Sequence, residues 1–407
     1  MTTETADAVV VGGGVVGASI TFHLARLGIK RSVLCERKQL AAGASGRSGA
    51  LVRMHYTNEP EARLAAASLP YFQNWAEVVG HGRCGFLSVG VIRLVCPQDG
   101  ERLKANVEML RRLGINTRLV ERAELQELAP EWWFEDVEFA AYEPDSGCAD
   151  PVATTEWFAR AAAALGARVM TGTEVVEVMV EGGRVKGVVT GRGTIFTRTV
   201  LVAGGAWALP LLARLGLRLP VRAVRVQAVA IRRPAGLAGP HPVCIDGPNR
   251  VWFRPDGSNL EVTVGAVRSY REPVSDPEAF PETADPEFLE LTRQRIARRF
   301  PAVGFARVQG GWAGVVTTSP DGKPVIDRHP DVEGLYFFTA DNGTSFKTAP
   351  AIGRALAEWA ALGRPQYVDI SPFRASRFAE GRPLVGEHEY TGEEGPGRQV
   401  SNSGLWT

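Results

Sequence analysis

Gly12, Gly14 and Gly17 form a G-x-G-x-x-G turn between an apolar run, Ala8 to Val11, and a stretch with helical character, Ala18 to Leu27. That spacing serves a phosphate-bearing ligand. The first glycine permits the tight turn, the second lets backbone approach a pyrophosphate, and the third lets helix and strand pack closely. Val15 and Val16 fall between them, where the amides of a helix N-terminus favour an anion. Glu36 stands nineteen residues after Gly17, at the end of a second apolar run, Ser32 to Cys35, and Arg37 follows it. A carboxylate there accepts hydrogen bonds from a ribose hydroxyl and disfavours a 2′-phosphate, which leaves NAD or FAD.

These residues need a βαβ unit to position them, and the first forty residues read as one, with Gly28 stopping the helix. The small-residue run AAGASGRSGALVR from Ala41 suits a loop apposed to a ligand. Helices are expected from Glu61 towards Trp75, broken at Pro70, and over 101–113 and Thr154 to Leu165. Strands are expected at Arg168 to Met170, Val175 to Val180, Val185 to Val189 and Thr194 to Val202, two of them joined across Gly182-Gly183. Val221 to Ile231, Val251 to Phe253 and Leu260 to Val267, with a helix at Pro286 to Phe300, read as a second domain. Leu335 to Ala340 then returns as strand, turn and the helix Ala349 to Leu362. The segment from Val385 has little apolar content and is expected to extend or dock on a neighbour.

Composition removes several function classes. The 407 residues are 45% hydrophobic and 22% charged, the balance of a folded globular chain rather than a disordered one. A net charge of +1 gives no field to draw in nucleic acid or an anionic membrane. Cys35, Cys84, Cys96, Cys148 and Cys244 are scattered, which argues against a disulfide framework or zinc knuckle and for a reducing, cytoplasmic setting. The N-terminus lacks the basic region of a signal peptide, and no apolar run approaches the ~18 residues that span a bilayer. The histidines show no metal-ligand spacing, so no metal is expected, and no nucleophile elbow supports hydrolase chemistry.

The run VVVGGGVVGASITFHLARLG, with CER at Cys35 to Arg37 and GASGRSGALVR, resembles the D-amino-acid oxidase superfamily of FAD enzymes, particularly its sarcosine oxidase and glycine oxidase branch. YEPDSGCADP at Tyr142 to Pro151, VLVAGGAW at Val200 to Trp207, TSPDGKPVID at Thr318 to Asp327 and NGTSFKTAPAIG at Asn342 to Gly353 match the same family in order. Only the chain beyond about Pro383 falls outside. The resemblance implies an α/β (α+β) fold, with a Rossmann-like FAD-binding domain and a discontinuous β-sheet substrate domain. The corresponding segments are 1–80, 145–220 and 303–382 for FAD, 81–144 and 221–302 for substrate, and 383–407 as a tail.

Carried over by position, the resemblance puts Gly12, Gly14, Val15, Val16 and Gly17 at the pyrophosphate and Glu36 with Arg37 at the adenosine ribose. It puts Ala44, Ser45 and Gly46 at the phosphates or ribityl chain and the backbone of Val175 at the adenine. Gly204, Trp207 and the loop Gly343, Thr344, Ser345, Phe346 and Lys347 fall on the cofactor side. Arg53 and Lys347 match a clamp for a substrate carboxylate, which gains charge-assisted hydrogen bonds from such a pair. Three departures follow. Gly314 stands where covalent members hold the flavin by cysteine, and His55 does not match the histidine attachment of another branch, so FAD is expected to be noncovalent. Trp252, Thr263 and Val267 stand where monomeric sarcosine oxidases carry a tyrosine, an oxygen-activating lysine and a histidine. Trp252 is the candidate substrate-site residue among them, and loss of the lysine implies poor reactivity with oxygen.

One feature lies outside the family pattern. From Arg218 to Arg271 there are nine arginines against Asp246, Asp256 and Glu261. They form a solvated basic face, or some of them, Arg225 and Arg254 foremost, attract an anionic substrate or a partner protein. The expected activity is oxidation of the C–N bond of an amino acid or N-alkyl amino acid, by hydride transfer to the flavin N5 and hydrolysis of the imine. The substrate would be a small carboxylate-bearing amine. The alternatives are a flavin subunit passing electrons to an accepting partner protein, a flavin-binding protein without turnover, and an NAD-dependent dehydrogenase.

Overall fold

The computed structural model describes residues 2–234, 241–256, 261–264 and 272–391. Among these, a six-stranded sheet runs in the order Val325–Arg328, Leu335–Thr339, Val200–Val202, Ala8–Val11, Ser32–Cys35, Arg168–Met170. It is parallel except at Val325–Arg328. Its strands are continuously apolar because both faces are covered. Val10, Leu34 and Leu201 pack beneath the helices Val15–Arg26, Pro151–Ala164 and Ala349–Leu362. Val9, Val11, Val33, Val200 and Val202 instead meet Val178, Val188 and Ile195 of a four-stranded sheet. That second sheet holds Thr2–Thr5, Gly193–Phe196, Arg184–Thr190 and Val175–Glu181, with Gly182 and Gly183 at φ +60° and +70° in the hairpin turn.

A nine-stranded mixed sheet forms the other body, built from Val91–Leu94, Arg118–Glu121, Phe139–Glu143 and strands between Arg222 and Thr318. The helix Pro286–Arg299 packs Phe288 and Ile296 against its Ile92, Val229 and Phe253. Its longest pairing joins Arg222–Arg232 to Val308–Thr318, a strand absent from the sequence reading. The short pair Leu51–Val52 with Gly147–Cys148 sets Arg53 just past a strand end.

Several expectations change. The first helix begins at Val15 rather than Ala18, so the glycine turn feeds it directly. The helix Glu59–Gln73 runs through Pro70, whose ring is exposed while Leu69, Tyr71 and Phe72 are buried, so packing outweighs one lost hydrogen bond. Thr194 to Val202 is two strands in two sheets, parted at Thr197–Thr199. Arg225 does not wait for an anion: its buried guanidinium binds Asp285, Glu272 and the carbonyls of Pro281 and Thr283. Arg254 is likewise buried and bound to Asp256 and the Pro255 carbonyl. Arg218, Arg222, Arg232 and Arg250 are exposed, as on a solvated face. Val267, Arg268 and Arg271 lie outside the described residues, while Thr263 sits in the strand Glu261–Val264, paired with Ala230 and Arg254. Residues 384–391 dock on this chain itself.

Candidate functional site

The glycine turn opens onto a cavity between the two bodies. On the first side its wall holds Gly12, Gly14, Val15, Val16, Glu36, Arg37, Ala44, Ser45, Val175, Gly204 and Trp207. On the second side stand Gln227, Trp252, Trp312 and Gly314, and Gly343, Ser345 and Phe346 close one end. Gly17, Gly46, Thr344, Lys347 and Arg53 are not on this wall. Gly17 and Gly46 act by packing: a Cβ at Gly17 would stand 1.9 Å from the Gly12 oxygen, and one at Gly46 2.4 Å from the Ala41 oxygen.

Gly12 has φ +107°, and a Cβ there would meet Gly204 Cα at 2.7 Å, so two backbone turns close on each other only without side chains. Glu36 Oε2 accepts from the Gly13 amide and Oε1 from the Lys38 amide, both at 2.7 Å. The carboxylate therefore shapes the turn while facing the cavity, and its remaining lone pairs can still take hydroxyl donors. Ser45 Oγ accepts the Val15 amide at 3.0 Å, tying the small-residue loop to the helix start. That first turn holds no acidic residue, so its amide end stays open to an anion. Val175 pairs with Thr190 at the wall, and the register shift between it and Glu177 follows directly.

The segment carrying Pro277, Glu278, Phe280 and Glu282 crosses the cavity from the second body. Glu278 bonds the guanidinium of Arg37 and the indole N–H of Trp207, and lies 3.3 Å from Lys38 Nζ. Arg37 also stacks 5.1 Å over the Trp207 ring. Glu282 pairs with Arg47 at 3.0 Å, and the Trp312 indole donates to the Arg47 carbonyl. Arg47, Glu278, Glu282 and Trp312 were not legible as site residues; only Arg47 carried a signal, from inside the GASGRSG run.

At the far end Asp341 organises the loop. Its Oδ2 accepts from the Thr317 amide and hydroxyl and its Oδ1 from the Gly343 amide. Burial raises this carboxyl above its ordinary range. Ala340 and Asn342 both take positive φ here, 55° and 51°, strain of the kind that collects at ligand loops.

Arg53 and Lys347 converge behind Phe346. The Arg53 guanidinium lies 4.6 Å and the Lys347 ammonium nitrogen 5.4 Å from the centre of the buried Tyr56 ring. Arg53 donates to the His55 carbonyl and Lys347 to the Thr344 carbonyl. Burial, followed by the nearby Arg53, holds Lys347 well below its ordinary value. Glu143, which accepts from the Met54 amide and the Ser146 hydroxyl, is pushed up by burial, and its Oε1 is buried without a partner. Tyr56 gave no sequence signal as a member of this cluster, and Glu143 carried one only from inside the YEPDSGCADP run.

These residues fit FAD. The amide-rich helix end suits the pyrophosphate, Glu36 the ribose and the cations Arg37, Lys38 and Arg47 the negative charge, while Trp207, Trp252 and Phe346 offer ring-sized apolar wall. Among the described residues no helix is long and apolar enough to cross a membrane. Human sarcosine dehydrogenase is 27% identical over 385 residues, covering 92% of this chain and 42% of that protein, so the chain spans less than half of it. Glycine oxidase of Geobacillus kaustophilus is 26% identical, with 91% of this chain and 97% of that protein covered. The crystal structure of L-proline dehydrogenase from P. horikoshii superposes with a TM-score of 0.86 at 26% identity, covering 94% of this chain and all of that one. The pattern of the FAD dependent oxidoreductase family, DAO, matches residues 7–359, and the chain belongs to that family of flavoproteins.

Proposed function

We propose that this chain oxidises the C–N bond of a small amino acid or N-alkyl amino acid with noncovalently held FAD. The observation that carries the reading is the convergence of Arg53 and Lys347 on Tyr56, with Lys347 directly following the cavity-wall residue Phe346. Bound FAD supplies an acceptor for hydride from the carbon beside nitrogen, and the imine released hydrolyses in water. The chain's contribution is orientation. Arg53 offers a two-pronged donor set to a carboxylate, and the arriving negative charge favours the ammonium form of Lys347. Burial raises Glu143, which weakens its hold on a negative charge and so lessens its repulsion of an incoming acid. Trp252 closes the wall opposite: a Cβ on Gly49 would enter its ring, which keeps loop and strand in contact.

The test is anaerobic bleaching of the bound flavin by glycine, sarcosine and L-proline, each beside its carboxamide. The acids are expected to bleach and the amides to fail. Equal bleaching by acid and amide refutes the carboxylate reading, and no bleaching by any of them supports a flavin-binding protein without turnover. Thr263 in the strand Glu261–Val264 favours a second reading, in which an electron-accepting partner replaces oxygen. Under it the reduced flavin persists in air and reduces an artificial acceptor without forming peroxide.

A further inference from the structure

Residues 384–391 lie against the loop that carries Arg53. Tyr390 Oη and His55 Nε2 are 2.6 Å apart, their rings nearly parallel at 15°, and the Arg93 guanidinium sits 4.9 Å over the Tyr390 ring. The other imidazole nitrogen, Nδ1, is buried without a partner, so among the described residues the Tyr390 bond is the polar tie of this ring. The carbonyl of the same His55 receives the Arg53 guanidinium. Two residues on, a Cβ at Gly386 would stand 2.5 Å from the Thr57 carbonyl, so the segment presses on the loop backbone as well.

The segment is anchored on both sides of that contact. Leu384 donates to Asp321 at 3.0 Å, and Thr391 donates to Asp99 through its amide and hydroxyl at 2.8 and 2.9 Å. Asn106 donates to the His388 carbonyl at 2.9 Å. Lys323 bridges Glu61, at 2.9 Å, to Glu389, at 3.8 Å. The stretch is thus held by these polar bonds together with the packing of Leu384 and Tyr390, and what it holds in turn is the backbone beside Arg53.

We infer that Leu384–Thr391 is a positioning element of the substrate site and that Tyr390, through His55, sets the guanidinium of Arg53 for the substrate carboxylate. The inference rests on the carboxylate reading of Arg53. Without the Tyr390 hydroxyl both imidazole nitrogens lie unpaired in a dry place, and the ring must turn or draw in water. Either response moves the His55 carbonyl and with it the Arg53 fork. Neither Tyr390 nor His55 is on the cavity wall, so cofactor binding is not the quantity affected.

The test compares Tyr390→Phe, Arg53→Ala and Thr391→Val in the full FAD-loaded chain, by anaerobic flavin reduction with whichever of glycine, sarcosine or L-proline half-saturates lowest. Tyr390→Phe is expected to keep parental FAD content and spectrum, to raise half-saturation about tenfold, and to leave the limiting rate within about twofold. Thr391→Val, which removes the hydroxyl bond to Asp99 and leaves the amide bond and the His55 contact, is expected to behave as the parent. Parental half-saturation in Tyr390→Phe, beside a raised value in Arg53→Ala, overturns this inference alone. A rise of equal size in Thr391→Val also overturns it, because general loosening of the segment would then suffice. If Arg53→Ala itself changes nothing, or none of the three acids bleaches the parent, the carboxylate reading falls and takes this one with it. Should Tyr390→Phe emerge without flavin, His55→Gln approaches the same bond from its other end, and parental half-saturation there overturns the inference.

Discussion

Replacing Glu36 by alanine removes two charge-assisted hydrogen bonds at 2.7 Å, those from the amides of Gly13 and Lys38, together with the acceptor proposed for the ribose. Hydrogen bonds to a charged group contribute about 1.5–3 kcal/mol each, and a buried donor left without a partner costs about 1–3 kcal/mol. Water entering the vacated space restores part of this for both amides. The loss in FAD binding is then the cost of ordering the glycine turn plus one or two ribose bonds, about 2–3 kcal/mol, or roughly 30- to 150-fold in Kd. Glu36→Gln keeps one oxygen acceptor where two are used, and is expected to lose about tenfold. Folding survives in both, because the sheet core of Val9, Val10, Val33 and Leu34 does not depend on this carboxylate. The assay is titration of flavin-stripped protein with FAD, read by quenching of flavin fluorescence. A parental Kd in Glu36→Ala refutes the reasoning, since the turn would then be held by packing alone.

Three further outcomes are expected. Glu278→Gln with Glu282→Gln should speed FAD dissociation a few-fold, more at low salt than at high, because half-exposed ion pairs are worth at most about 1 kcal/mol each; an unchanged off-rate in stopped-flow removes any retaining role for the crossing segment. Arg53→Ala and Lys347→Ala should each weaken carboxylate binding by about 2–5 kcal/mol. An arriving anion favours the ammonium form of Lys347, whose value burial depresses, so binding takes up a proton and tightens as pH falls from the ordinary lysine value; propionate titrations from pH 7 to 10 check the slope, which should vanish in Lys347→Met. Acid precipitation should leave all the flavin in the supernatant, and flavin retained in the pellet would contradict noncovalent attachment.

What could be read from the sequence was whatever is local. The glycine turn, Glu36 and the helix and second strand around them follow from spacing because Glu36 and Ser32–Cys35 meet the turn and the first strand within forty positions. Thr194 to Val202 misled for a related reason: its apolar content is continuous, and only the pairing of Gly193–Phe196 with Arg184–Thr190, and of Val200–Val202 with Ala8–Val11, shows two strands in two sheets. Pro70 misled because a local breaker was weighed without the buried residues on either side. Tyr390 could not be found at all, since nothing in a lone tyrosine tells that folding will set it against Arg93 and His55 far along the chain; Tyr56 and Glu143 lie beside or within quoted motifs, but their types alone do not mark them as members of a carboxylate site.

The arginine-rich stretch shows how the same limit applies to charge. Counting nine arginines against three acids treats charge as a property of a segment, yet Arg225 is neutralised by Asp285 and Glu272, the latter 47 residues distant. A guanidinium with 3% side-chain exposure, holding the carbonyls of Pro281 and Thr283 as well, anchors one end of the segment whose Glu278 and Glu282 reach Arg37 and Arg47. Arg225 therefore acts on the cofactor cavity by fixing the base of the chain that crosses it. Breaking that anchor differs in kind from breaking the ion pairs at its tip. Arg225→Met leaves the one-third-exposed Asp285 carboxylate and the carbonyls of Pro281 and Thr283 without their donor, a loss of about 1–3 kcal/mol, so thermal stability and flavin retention should fall together. The Glu278→Gln and Glu282→Gln changes should move retention with little effect on stability. If Arg225→Met melts at the parental temperature, these bonds contribute nothing to stability and do not anchor the segment in the second body.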